Sequence, residues 1–225
     1  MYCRSALLGW RSTPCSWFEP MLAALSQLID RLPALDGQRY LGFSTAVLLA
    51  AVWVLSFDFV PILDHVNLAF HEAGHPAFGL FGNTMGWLGG TLGQFVFPIA
   101  TTWHFARREQ WFSAAACAIW FFENFRYVAL YLGDARTQAL PLVGGGEHDW
   151  AYLLGHWGLL EYDTRIAGAL TFISWSGWLA VWGVVTWWWW RSRQRRTTEL
   201  EAEQRERIIE QARQRERERR AKSRQ

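Results

Sequence analysis

Leu41 to Leu63 reads LGFSTAVLLAAVWVLSFDFVPIL, a stretch in which Asp58 is the sole charge. Crossing the hydrocarbon core of a bilayer takes about 20 mostly apolar residues in helical form, so a transmembrane helix is expected here. Forty residues precede it, too many for a secretory signal peptide. Burial in a soluble core is the competing reading of such a run, and the further apolar stretches weigh against it.

Toward the N-terminus, Met21, Leu22, Leu25, Leu28, Ile29 and Leu32 recur at spacings near 3.6. They predict an amphipathic helix able to lie on a membrane surface or pack against a helix bundle. Residues 1–20 show no periodicity, and Met21 offers a second start. Toward the C-terminus, an apolar block runs from Val66 to Phe81 and is followed by GNTMGWLGGTLGQFVFPIATTWHFA over Gly82 to Ala106. The glycines between Gly82 and Gly93 argue for an irregular, re-entrant segment, which is tolerated at membrane depth where protein or water covers it. Further spans are read from Trp111 to Leu132, holding Glu123, Asn124 and Arg126, and from Ile166 to Trp190. The last ends in four tryptophans followed by RSRQRR, the pattern of a cytoplasmic membrane boundary.

These readings give an all-α, polytopic membrane helix bundle with a glycine-rich re-entrant segment and a charged C-terminal helix. Its parts are an N-terminal segment over 1–40, a membrane-embedded domain over 41–190 and a charged cytoplasmic tail over 191–225. If Arg31 and Arg39, Arg107 and Arg108, and Arg191 to Arg196 all face the cytoplasm, the chain crosses four times, with Gly82 to Ala106 dipping in and returning.

The chain's mean hydropathy near zero is then a cancellation. Of 22 basic and 20 acidic residues, thirteen basic and seven acidic lie between Arg191 and Gln225. Glu201/Arg205, Glu203/Arg207 and Glu216/Arg220 stand at the i, i+4 spacing of an exposed helix. The interleaved glutamates argue against a nucleic-acid partner, and without apolar heptads no coiled coil is indicated. Cys3, Cys15 and Cys117 form no regular spacing, which disfavours a disulfide framework or a thiolate metal site.

The chemistry is carried by His71-Glu72-Ala73-Gly74-His75. On a helix, residues i and i+4 share a face, so both imidazoles can bind one Zn2+ while Glu72 acts as general base toward water that the metal acidifies. Ionisable groups at membrane depth are costly unless paired or ligated, which makes a functional site the default reading. Pro76 removes a helical hydrogen bond beside this motif and is expected either to kink the helix or to be covered by neighbouring helices.

The third ligand is open from the residues. Gly144 to Trp150 offers Glu147, His148 and Asp149 at the start of an apolar segment, and Asp149 there also suits a helix N-cap. Glu123 is an alternative, although a pair with Arg126 one turn away explains it more simply. A third His in an extended HExxH pattern falls on Phe81, and the glutamate of a thermolysin-like site falls near Phe95, so neither arrangement fits.

The segment Phe70-His71-Glu72-Ala73-Gly74-His75, with Phe78-Gly79-Leu80-Phe81-Gly82 and the glycine-rich stretch ending near Pro98, resembles the site-2 protease family of intramembrane zinc metalloproteases. The resemblance covers Ala69 to Pro98. It implies His71 and His75 as zinc ligands, Glu72 as the catalytic base, a distant Asp as third ligand, and a transmembrane protein segment as substrate. The family's Asn-Pro…Leu-Asp-Gly motif is missing; Asp149 is its nearest equivalent, and His148 competes through imidazole's affinity for zinc. One of the two can ligate while the other orients a ligand from behind. The reading is an intramembrane zinc endopeptidase. Its rival is a non-proteolytic membrane protein with a structural or degenerate metal site, acting as an assembly partner through its tail. A membrane di-iron oxygenase is disfavoured by having only two closely spaced histidines. Gly86 to Gly93 and Gln94 either receive an extended substrate segment or serve close helix packing.

Overall fold

The structure, a computed structural model, describes residues 18–57, 59–143 and 146–223. Among these the chain forms seven α-helices and no strand: α1 Phe18–Arg31, α2 Gly37–Ser56, α3 Leu63–Gly79, α4 Asn83–Arg107, α5 Trp111–Gly133, α6 Asp149–His156 and α7 Asp163–Lys222. Two helical stretches are long and apolar enough to cross a membrane, Gly37–Ser56 and Leu160–Arg220.

The first apolar helix stops seven residues short of the expected Leu63. Pro61 has no N–H to donate and disfavours helical backbone in the residue before it. The carbonyls left open at the end of α2 are taken up from the side: Arg126 Nη2 donates to Val54 O at 3.3 Å and to Phe57 O at 3.0 Å. Asp58 lies outside the described residues. The backbone N–H of Val60 then donates to Asp64 Oδ2 at 2.7 Å, fixing the entry to α3. α3 runs on through Pro76, whose side is exposed and not covered by a neighbouring helix.

The re-entrant reading of Gly82 to Ala106 is corrected. Apart from Gly82, which precedes the first turn with φ 114°, the segment is one continuous helix, α4. A glycine inside a helix costs about 0.5–1 kcal/mol relative to alanine, but here the missing side chains let α3 and α4 approach backbone to backbone. A Cβ on Gly89 would stand 2.5 Å from Gly74 O, and one on Gly93 would collide with Phe70 O. Close packing of small residues thus stabilises what local propensity disfavours. The rings of Phe70 and Phe97 stack across the same seam at 4.6 Å.

The unit Gly37–Trp187 holds α2 to α6 and the first part of α7. Its pair contacts fix the helix directions. Phe95 meets Phe121 and Phe125 while Phe97 meets Trp120, so α4 and α5 are antiparallel. Tyr40 meets Thr186 and Ser44 meets Trp182, so α2 and α7 are antiparallel. Phe43 meets Phe112, while Val54 and Phe57 meet Arg126, so α2 and α5 are parallel. Asn67 meets Trp120 and Glu123, while His71 meets Tyr131, so α3 and α5 are parallel too. α2 and α3 therefore point the same way with a break between them, and α4 and α7 run back. Arg39, Arg107 and Arg108 consequently lie toward one end of this unit, and the α3–α4 connection lies toward the other.

The second unit comprises the described residues up to Asp36 and those from Trp188 onward. Ile29, Leu35, Trp188 and Ser192 are buried in it. Trp188 Nε1 donates to Pro33 O at 2.9 Å, Leu35 N–H donates to Ser192 Oγ at 3.0 Å, and Arg191 pairs with Asp30. That guanidinium's hydrogen bond holds the Asp30 carboxyl below its usual range. The amphipathic helix α1 leaves Met21, Leu22 and Leu28 exposed. Along the tail, Glu203–Arg207 and Glu216–Arg220 form as the spacing predicts, at 3.5 and 2.6 Å.

Candidate metal centre

His71 and His75 sit one turn apart on α3, both turned toward α4 and the start of α6. Gly90 makes this possible: a Cβ there would stand 2.5 Å from His71 Nε2 and 2.7 Å from His75 Nε2. His75 donates its Nδ1 hydrogen to Gly86 O at 2.9 Å, leaving the Nε2 lone pair to face Asp149. Anchoring one ring nitrogen in this way orients the other for a metal.

Both Nε2 atoms face one carboxylate oxygen. Asp149 Oδ2 lies 2.9 Å from His71 Nε2 and 3.3 Å from His75 Nε2. Ligands bound near 2.1 Å in a tetrahedron stand about 3.4 Å apart, so the two distances from Asp149 Oδ2 fit three side chains sharing one metal ion, and all three donor atoms lie within 4.8 Å of one another. Among the described residues these three side chains form the one group of His, Cys, Asp or Glu able to share a metal. His71 and Asp149 are buried, and His75 is half-buried.

Asp149 is the first residue of α6 and is held by Tyr131, whose hydroxyl oxygen accepts from Asp149 N–H at 3.1 Å. α6 is tied to α4 by the stacked rings of Trp87 and Tyr152 at 4.5 Å and by Asn83 Nδ2 donating to Tyr152 Oη at 3.2 Å. The N-cap is His148, not Asp149: its Nδ1 accepts from Ala151 N–H at 3.3 Å. His148 is buried under the ring of Tyr131, 4.1 Å away, and its Nε2 faces Asp134 at 3.8 Å. Burial pushes its pKa down. The structure therefore brings Asp149 to the histidine pair and turns His148 away from it.

Glu123 does not reach the pair either. Its Oε2 accepts from Asn67 Nδ2 at 3.1 Å, and Asn67 Oδ1 accepts from Trp120 Nε1 at 2.8 Å. Arg126 has the separate task of closing α2. Gln94 is buried and the glycines around it are filled by α3, so that stretch presents no edge to an extended segment. His104 is exposed near the end of α4, beside Trp103.

Glu72 lies on the open side of the motif. It lines a cavity of about 370 Å³ together with His71, His75, Tyr131, Glu147 and Asp149. Among the described residues no hydrogen bond or ion pair engages its carboxylate. Beyond the site, Asp134 organises the connection after α5. Thr137 Oγ1, Ala139 N–H at 3.0 Å and Leu140 N–H at 2.9 Å all donate to its side chain. Burial acts to raise the Asp134 pKa, and these hydrogen bonds together hold it below the usual value.

Comparison with known proteins finds no matching family model, no matching curated protein and no matching solved structure.

Sequence reasoning did not single out Tyr131, Gly90 or the Gly86 carbonyl. Tyr131 carried a signal, since Glu123, Tyr127 and Tyr131 recur every four residues and so share one face of α5. Gly90 carried none, because its role depends on which helix lies opposite.

Proposed function

We propose that the chain is a zinc-dependent intramembrane endopeptidase that hydrolyses a peptide bond in a membrane-protein segment. The observation that carries this reading is the convergence of His71 Nε2, His75 Nε2 and Asp149 Oδ2 beside a cavity into which Glu72 projects. Structural zinc sites are closed by four protein ligands, whereas catalytic ones keep a position open. Three donors next to open space favour the catalytic kind, and with it the resemblance of Ala69 to Pro98 to site-2 proteases.

His71, His75 and Asp149 would hold the ion, and Zn2+ bound there supplies a Lewis acid for the peptide carbonyl and for water. Glu72 takes the proton from the attacking water and returns it to the leaving amine nitrogen. Gly86 O fixes the His75 tautomer, and the Tyr131 hydroxyl fixes the main chain at Asp149. The Tyr131 hydroxyl accepts from that N–H and also faces the Asp149 carboxylate, so it holds both the main chain and the side chain of this residue.

The bilayer is the proposed setting. α2 and α3 together, α4, α5 and the apolar part of α7 make four passes, which keeps the expected number while the break moves from Gly82–Ala106 to the residues between Ser56 and Leu63. Arg39, Arg107, Arg108 and the arginines after Trp190 then share the cytoplasmic side, with the tail from Arg191 cytoplasmic. The metal centre, near the α3–α4 connection, opens toward the opposite side. Supporting this are the helix directions and the two apolar stretches of spanning length.

The test is chelation and restoration. Purified chain in liposomes should cut a reconstituted transmembrane-helix substrate, lose that activity on zinc removal and regain it with added Zn2+. Activity that survives complete metal removal would overturn the reading.

A further inference from the structure

A second cavity of about 550 Å³ adjoins the first, and His71, Glu72, Tyr131, Leu142 and Val143 line both. Its own walls are different in character: Phe59, Leu68, Leu130, Leu140 and Pro141 give it a mostly apolar surface, with Asp64, Tyr127, Asp134 and Thr137 as its polar groups. Its volume falls in the range of ligand pockets, roughly 300–1,000 Å³, which are lined by apolar groups with a few polar ones for orientation. Four separate elements build it: the connection before α3, α3, α5 and the connection after α5.

That connection is shaped for the purpose. Gln138 adopts φ 49°, a left-handed conformation that a residue with a side chain adopts at a cost of about 1–2 kcal/mol. Asp134 then grips the backbone of Ala139 and Leu140, so that Leu140 and Pro141 are set against the cavity. The apolar wall is thus held by polar bonds behind it and does not depend on a ligand to form.

We infer that this cavity is the specificity pocket of the site, receiving a large apolar side chain, leucine- or phenylalanine-sized, from the residue of a polypeptide next to the bond Glu72 acts on. The inference rests on the proposed peptidase reading, because it is the shared wall at His71 and Glu72 that makes the occupant part of a peptide. A side chain seated against Leu68 and Leu130 places its own main chain at the mouth common to both cavities. A glycine or alanine at that position leaves the walls uncovered, and discrimination between such side chains is roughly tenfold or more.

The test reads binding without turnover. Full-length chain carrying Leu142→Cys, in lipid nanodiscs, is alkylated with a maleimide and the modification at position 142 is followed by peptide mass mapping. Acetyl-Ala-Phe-Ala-amide should slow that reaction roughly tenfold relative to acetyl-Ala-Gly-Ala-amide, and Leu130→Trp, which fills the pocket from α5, should abolish the difference. Should Leu130→Trp fail to fold, Leu140→Trp on the surface connection serves the same purpose. Equal protection by both peptides, a difference that persists in the filled variants, or equally strong protection by decanoate alone would overturn the pocket; the last would mark an acyl-chain cavity. A chain that binds selectively but cleaves nothing would keep the pocket and overturn the peptidase reading instead.

Discussion

The Nδ1 of His75 bonds to the carbonyl oxygen of Gly86 across 2.9 Å, and this contact between α3 and α4 determines that Nε2 is the nitrogen facing Asp149. The two histidines and the carboxylate form a set whose members have distinct supports, and removing them separately gives different outcomes.

Asp149→Ala should lower zinc affinity by more than the roughly 10–100-fold typical of losing an outer hydrogen-bond partner. His148→Ala should leave close to one zinc per chain and instead cost about 1 kcal/mol of stability through the lost cap on α6. Metal content by atomic emission and thermal unfolding of the same preparations separate the two. Loss of zinc in His148→Ala with retention in Asp149→Ala would reverse the assignment.

Gly90→Ala should weaken metal binding although the substitution adds one methyl group, because that methyl meets both imidazoles. Gly168→Ala, where a Cβ meets nothing within 4 Å, should leave zinc content and folding unchanged. Equal zinc titrations for the two variants would show that the seam between α3 and α4 has room to yield.

The helix bundle was largely legible in the sequence, because apolar length and a charged tail are local properties. Trp111 to Leu132 and Ile166 to Trp190 correspond closely to α5 and the apolar part of α7. The spacing of His71 and His75 puts them on one face in any helix. What was hidden depends on partners. The glycines of α4 read as an interruption because their value lies in the backbone of α3 pressed against them. The choice between Asp149 and His148 turned on which residue takes the cap, and that is set by Tyr131 packing on His148. The break after Ser56 was hidden by the apolar residues that continue across it, with Pro61 as its sequence mark.

Asp134 gives a pH dependence whose sign is fixed. Its carboxyl is held below its ordinary value of 3.8 in the folded chain, so its contribution to stability is present above that value and is lost as the pH falls through and below it. Asp134→Asn should lower the melting temperature at pH of about 6 and have a smaller effect near pH 3. An Asn variant equally destabilised at both pH values would mean that the connection is held by other groups.

The proposed four-pass arrangement fixes which side the metal centre faces. Glu147→Cys, beside the metal centre, should react with a membrane-impermeant maleimide applied from the non-cytoplasmic side. Reporters near Arg39 and at the C-terminal end should both read as cytoplasmic. Labelling of Glu147→Cys from the cytoplasmic side alone would overturn the four-pass arrangement.

The most direct measurement compares wild type with Glu72→Gln, each loaded with zinc and reconstituted with the same transmembrane-helix substrate. The expected result is about one zinc per chain in both, with cleavage in the wild type and a loss of at least roughly a hundredfold in Glu72→Gln. Equal cleavage by the two proteins would contradict the assignment of Glu72 as the base and, with it, the reading of His71, His75 and Asp149 as a catalytic metal centre.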